Sequence, residues 1–172
     1  SKKGEFMEVL VQWFTDSLSQ HISRELIIFI ISMIPILELR GGLLAASLLK
    51  VSAAKAIPIC IIGNIIPVPF ILLLITPVFN WMKGTKTFKP LVDKLENRAM
   101  SRKDQIEKYE FWGLVLFVGI PLPGTGGWTG ALLASLLHLD KKKSFIVISL
   151  GVFIAGLIIT LLSLVVGNAV FN

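Results

Sequence analysis

Glu38 and Arg40 are ionisable residues set inside an otherwise apolar stretch, Leu26 to Leu49. A charge at the centre of a bilayer costs roughly 3 kcal/mol or more, so such residues are functional candidates by default. The guanidinium of Arg40 stays protonated and presents a fork of N–H donors suited to phosphate or carboxylate. Glu38 could orient that fork, or carry a proton in a coupled cycle. Residues two apart do not face one another on a regular helix. Here Pro35 precedes the pair and Gly41 and Gly42 follow it, so a break in the helix could bring them together. The competing role is structural: the two pair with each other and hold the break.

A second candidate carries no charge. It is Pro121-Leu-Pro-Gly124-Thr125-Gly126-Gly127-Trp128-Thr129-Gly130. Its glycines expose backbone N–H groups. An arm starting near Thr129-Gly130 would point a helix N-terminus at a cavity, where an anion is favoured. Thr125 and Thr129 could add hydrogen bonds, and Trp128 a flat wall. Close packing is the alternative, because Gly126 and Gly130 have the small-residue spacing of touching membrane helices. No strand precedes the run, so it is not a dinucleotide fingerprint. Asn64 lies beside Gly63 and before Pro67 and Pro69, and reads as a break in a third apolar run. It could hydrogen-bond an opposing hairpin or a substrate. His138 and Lys141 to Lys143 sit at a turn within reach of phosphate headgroups; His21 reads as a surface residue.

No Ser/His/Asp set, H-E-x-x-H motif or Cys/His cluster is present, so an enzyme is the least expected class and no cofactor is expected beyond proton coupling. Cys60 is the only cysteine, which excludes an intrachain disulfide and argues against a cysteine-based metal site.

The elements that must position these residues follow from hydropathy. Of 172 residues, 54% are hydrophobic and 16% charged, with a mean hydropathy of +0.79; soluble domains carry about 25% charged residues. Ala56 to Met82, Phe111 to Leu137 and Ser144 to Asn172 contain no Asp, Glu, Lys or Arg. Each exceeds the roughly 20 apolar residues that cross a bilayer. One membrane domain, residues 1–172, accounts for the length. The net charge of +6 fits Lys and Arg gathered in cytoplasmic loops better than nucleic-acid binding, since no basic stripe lies on a soluble domain. Ser1 to Phe6 reads as a vector remnant before Met7.

Phe6, Val9, Leu10, Trp13, Phe14 and Leu18 recur at helical spacing, predicting an amphipathic helix that lies in the headgroup region or packs on the protein. Residues 83–110 are the long polar stretch. Their stripe Phe88, Leu91, Val92, Leu95 and Ala99 predicts an amphipathic linker helix on the membrane surface, or a docking site for a partner.

The two halves repeat. Shifted by 88 residues, Gly42, Ala46, Ser47 and Gly63 fall on Gly130, Ala134, Ser135 and Gly151, and Ile34-Pro35 meets Ile120-Pro121 at a shift two residues shorter. Repeat 1 covers about 24–82 and repeat 2 about 111–172. Prolines and glycines interrupt both at equivalent places. Leu26 to Pro35 makes roughly 15 Å of helix and Leu43 to Leu49 about 10 Å, short of a core of roughly 30 Å. Such arms predict a re-entrant hairpin whose freed backbone groups line a protected cavity. A hairpin plus one long helix crosses once, so the second repeat is inverted. That arrangement gathers the linker's basic residues with Lys141 to Lys143 on one side, leaving Arg24, Lys50 and Lys55 on the other. Four plain spans with parallel repeats are the competing topology.

At Pro35, Glu38-Leu-Arg40-Gly41-Gly42, and again at Pro121 to Ala134, the chain resembles the putative small multidrug export protein family, itself similar to the DedA/VTT (SNARE-associated) membrane protein superfamily. The resemblance implies an all-α integral membrane protein of two inverted repeats. Each would be a re-entrant hairpin plus a long transmembrane helix, with amphipathic N-terminal and linker helices. It implies a multi-pass protein of a prokaryotic plasma membrane, in contact with lipids and able to form a homo-oligomer. The expected function is a transporter or flippase moving an anionic lipid-phosphate or amphiphile past Glu38, Arg40 and the second hairpin. The alternatives are a proton-coupled exporter of small cationic drugs, with Glu38 as carrier, and a non-transporting assembly factor.

Overall fold

The structure, a computed structural model, describes residues 2–122 and 125–171, and all regular elements among them are helices. These are α1 (Lys2–Leu18), α2 (Arg24–Met33), α3 (Glu38–Leu48), α4 (Ala53–Ile65), α5 (Pro67–Lys83), α6 (Lys89–Met100), α7 (Lys103–Gly119), α8 (Gly127–Leu136) and α9 (Lys141–Phe171). Gly124 lies outside the described residues.

Among the described residues, two helical stretches are long and apolar enough to cross a membrane: Ala53–Lys83, 31 residues with mean hydropathy 2.5, and Lys141–Ser163, 23 residues with mean hydropathy 2.8. At the helical rise they extend about 46 and 35 Å, past a core of roughly 30 Å. The break expected at Asn64 amounts to a division at Ile66, two residues on, within one continuous helical stretch. Pro67 opens α5, and Ile66 between α4 and α5 keeps helical dihedrals (φ −55, ψ −42). Proline in a first turn removes a donor that the local geometry does not need.

The breaks before α3 and α8 are real. A residue before proline is driven out of the helical region, and Ile34 (φ −75, ψ 131) and Ile120 (φ −81, ψ 116) are both extended. The helices resume sooner than the glycines suggest. Gly41 and Gly42 lie within α3, and α8 starts at Gly127 rather than near Thr129.

The turns that follow α3 and α8 match atom for atom. Lys50 N donates to Ser47 O and Val51 N to Ala46 O; His138 N donates to Ser135 O and Leu139 N to Ala134 O. This is the Schellman closure, with a left-handed residue after the helix. Lys50 (φ 56) and His138 (φ 54) supply that residue without being glycine.

The chain divides into two units. One takes the residues up to Ile66 with the part of α9 from Val152; the other runs from Pro67 to Gly151. In the first, α2 packs on α3 and α4, and α1 rests on α2 and α3. Ile27, Ile28, Ile31 and Leu37 are fully buried there. α1 divides its apolar residues between two faces: Val11 is buried, while Phe6, Val9 and Trp13 are exposed. In the second unit α8 packs on α5, α6 and α7. The linker is not one helix. α6 ends at Met100, and α7 begins at Lys103 and runs on into the apolar segment. Val92 of the expected stripe is buried, but Phe88 and Leu91 are exposed. Lys83 Nζ pairs with Glu96 Oε1 at 2.6 Å, tying α6 to the end of α5.

Candidate functional site

Glu38 is the first residue of α3 and only 7% exposed. Its backbone is left-handed (φ 48), which costs an L-residue about 1–2 kcal/mol. Its N–H donates to Ile34 O at 2.9 Å, closing the break. Arg40, two residues on, is half-buried, and Leu39 between them is buried. A buried acid and a strained backbone thus coincide at the break, with an arginine two residues along the same helix.

Gly41 and Gly42 serve packing. A Cβ on Gly42 would collide with Ser32 Oγ and stand 2.8 Å from Cys60 Sγ. A Cβ on Gly63 would stand 2.8 Å from the Phe29 carbonyl oxygen and 3.0 Å from Ser32 Cβ. These glycines let α2, α3 and α4 meet around Ser32. The Ser32 hydroxyl donates to Ile28 O at 2.8 Å. Asn64, 1% exposed, donates from Nδ2 to Ser32 O at 3.3 Å. That carbonyl lies in the last turn of α2, where the break removes its helical donor. Asn64 therefore braces the hairpin of its own unit. Ser32 was not singled out from the sequence, because a lone serine in an apolar run has neither periodicity nor charge to mark it.

In the second hairpin, Thr125 closes the loop. Its Oγ1 lies 2.8 Å from both Ile120 O and Leu122 O, and accepts from Leu122 N at 3.1 Å. Pro121 is half-buried beside it. Gly126 (φ 151) is the N-cap of α8, a conformation open to glycine alone. Gly127 is buried, and Trp128 and Thr129 are half-buried. A Cβ on Gly130 would stand 2.5 Å from Val118 Cγ2 and 3.6 Å from Ile148 Cγ1. On Gly151 it would stand 2.7 Å from Val118 Cβ and 3.2 Å from Val115 O.

Under the repeat these contacts coincide. Phe29 and Ser32 correspond to Val115 and Val118, Gly42 and Gly63 to Gly130 and Gly151, and Cys60 to Ile148. Each glycine meets the partner that its counterpart meets. The chemistry does not repeat. Ser32, Cys60 and Asn64 become Val118, Ile148 and Val152, all buried, while Glu38 becomes Gly126 and Arg40 becomes Trp128. Glu38, Arg40, Gly41, Gly42 and Asn64 belong to the first unit, and Pro121 and residues 125–129 to the second.

Helices alone make up the regular structure of the described residues, two of them apolar and of membrane-crossing length, and a buried acid stands at a helix break; together these point to a membrane protein. The profile of one family, described as putative small multi-drug export protein, matches residues 38–158, and the chain belongs to that family. The matched span begins at Glu38 and takes in both turns and the second hairpin. No curated protein and no solved structure matches the chain.

Proposed function

We propose that the chain is a transporter that exports small amphiphilic compounds, with Glu38 as the group that couples export to protons. The observation that carries this is Glu38 itself: a carboxyl 7% exposed, on left-handed backbone, at a break in an apolar helix. Burial and strain both oppose its presence, and residues held against such costs cluster at functional sites. Gly126, which falls on Glu38 when the halves are aligned, also has a positive φ, but at 151 it lies in an extended region natural to glycine, and it carries no charge. The family description supplies the export reading.

The architecture proposed is two inverted repeats. α2 and α3 have 10 and 11 residues, or about 15 and 17 Å, too short to cross. They enter and leave by one face as a re-entrant hairpin, and α4–α5 then crosses once. α7–α8 and α9 repeat the plan from the opposite side of a prokaryotic plasma membrane. Transport of this kind changes no covalent bond of the substrate.

The test is efflux of a cationic dye from proteoliposomes under an imposed pH gradient. Wild type should export faster as the gradient steepens, and Glu38→Gln should export at a rate independent of it. Absence of dye efflux in wild type, or an unchanged pH dependence in Glu38→Gln, would overturn the assignment. A second reading has Arg40 holding an anionic lipid-phosphate or amphiphile. It is favoured by Arg40 itself, a half-buried arginine two residues from the break. It requires that Arg40→Ala abolish movement of an anionic lipid while Glu38→Gln preserves it.

A further inference from the structure

A cavity of about 550 Å³ in the second unit is lined chiefly by α7 and the start of the loop after it. One row of the helix supplies most of its lining, Arg102, Ile106, Tyr109, Gly113, Leu116 and Ile120 at intervals of three or four residues, and Asp104, Lys108 and Phe117 join it from outside that row. Gly113, midway along, contributes no side chain and leaves a dent. Ile106 is 4% exposed and packs with Leu133 of α8, with Phe117 against them, so the floor is fixed. We propose that this groove holds a bilayer phospholipid with an anionic headgroup, its phosphate at Arg102 and Lys108 and one acyl chain over Gly113 towards Ile120.

Three observations choose that occupant. The ends differ in chemistry: Arg102, Asp104 and Lys108 line one end, and Leu116, Phe117 and Ile120 the other. Among the described lining residues two bases stand against one acid, which makes the polar end attractive to a phosphate. The apolar stretch from Phe111 to Ile120 rises about 15 Å, the depth of one leaflet of a core roughly 30 Å thick. Finally, the polar end sits at headgroup level. Charge disappears from the sequence at Phe111. Tyr109 and Trp112 are 53% and 67% exposed there, as aromatics at a membrane boundary are. Lys143 lies over the Phe111 ring, 5.4 Å from its centroid. A lipid could therefore enter sideways with headgroup and chain already at the depths the groove provides. This inference does not depend on transport: a chain that moved nothing would still retain the lipid.

The full chain, purified in mild detergent, is offered equal amounts of phosphatidylglycerol and phosphatidylcholine, and the bound lipid is counted by native mass spectrometry. Wild type should retain one phosphatidylglycerol in preference. Each basic residue near an anionic headgroup favours it by about fivefold, so the double variant Arg102→Gln with Lys108→Gln should lose most of an approximately twentyfold preference. Asp104→Asn should raise the preference, a change of sign that misfolding cannot produce. Gly113→Trp should reduce retention of both lipids alike. The charge-matched control, Lys94→Gln with Arg98→Gln on α6, should change nothing. Equal retention of the two lipids by wild type, release of phosphatidylglycerol by inorganic phosphate, or an equal loss in the α6 control would each overturn the proposal.

Discussion

Gly130→Ala tests whether the glycines are set by helix contact or by the break. The new methyl would stand 2.5 Å from Val118 Cγ2, about 1.0–1.5 Å inside the roughly 3.5–4.0 Å of a favourable carbon contact. Val118 is 1% exposed and has no solvent to move into. Overpacking of this kind costs about 1–3 kcal/mol, against about 1 kcal/mol gained from replacing glycine within a helix. The single variant should be destabilised by about 1 kcal/mol on balance. In a Val118→Ala background the offending methyl is gone, and the next neighbour, Ile148 Cγ1, is at an ordinary 3.6 Å. There the same substitution should stabilise by about 1 kcal/mol, giving a coupling of about 2 kcal/mol in the double-mutant cycle. Gly151→Ala provides the contrast. Its nearest atoms are Val118 Cβ at 2.7 Å and the Val115 carbonyl oxygen at 3.2 Å, which Val118→Ala leaves in place, so rescue should fail. In the first hairpin, Ser32→Ala removes the hydroxyl that Gly42→Ala would strike but leaves Cys60 Sγ at 2.8 Å, so rescue should be partial. The assay is reversible unfolding in mixed detergent micelles, followed by far-ultraviolet circular dichroism. Additivity of Gly130→Ala and Val118→Ala within about 0.5 kcal/mol would refute the packing argument.

Lys50→Gly and His138→Gly should each stabilise by about 1 kcal/mol, because both replace left-handed L-residues (φ 56 and 54) in the same closure; the same unfolding assay should find the two gains additive. Asn64→Val should cost about 1–3 kcal/mol, since valine packs at the matching position 152 but leaves Ser32 O without the donor at 3.3 Å; an unchanged midpoint would show the bond to be dispensable. Cysteines placed at Lys55 and at Lys142 in a Cys60→Ala background should label from opposite sides of the membrane. Labelling from one side would replace the inverted repeat with parallel spans.

Where the sequence speaks through a local constraint, it is legible. Pro35 and Pro121 act on the residue before them, and both helices end there. Two of the three long charge-free runs, Ala56 to Met82 and Ser144 to Asn172, fall in membrane-length helices, whereas Phe111 to Leu137 is divided between α7 and α8. The glycines misled because their low helix propensity is a local quantity, whereas their use here is tertiary: Gly42 and Gly130 sit inside helices since Ser32 and Val118 approach them. Pro67 misled for the opposite reason, as a first-turn proline interrupts nothing. Thr125 carried no sign that its hydroxyl would be spent on Ile120 and Leu122. The stripe in residues 83–110 was visible, but its division between buried Val92 and exposed Phe88 and Leu91 depends on what α6 packs against.

The agreement of the two hairpins bears on where chemistry resides. Chance could align glycines in leucine-rich segments. It would not also give Gly63 and Gly151 the carbonyls of Phe29 and Val115, nor place left-handed Lys50 and His138 in the same pair of backbone bonds. A shared backbone plan therefore holds two different sets of side chains. Val118, Ile148 and Val152 show that the plan is satisfied by apolar residues alone, and Gly126 shows that it needs no acid at the break. Ser32, Asn64, Glu38 and Arg40 thus go beyond what the packing requires. Burying polar groups is costly unless they are bonded, and a left-handed glutamate adds strain that glycine avoids. Substituting Gly for Glu38 should consequently raise the unfolding midpoint while ending pH-dependent export. A midpoint that falls would mean the carboxyl is there to hold the hairpin together.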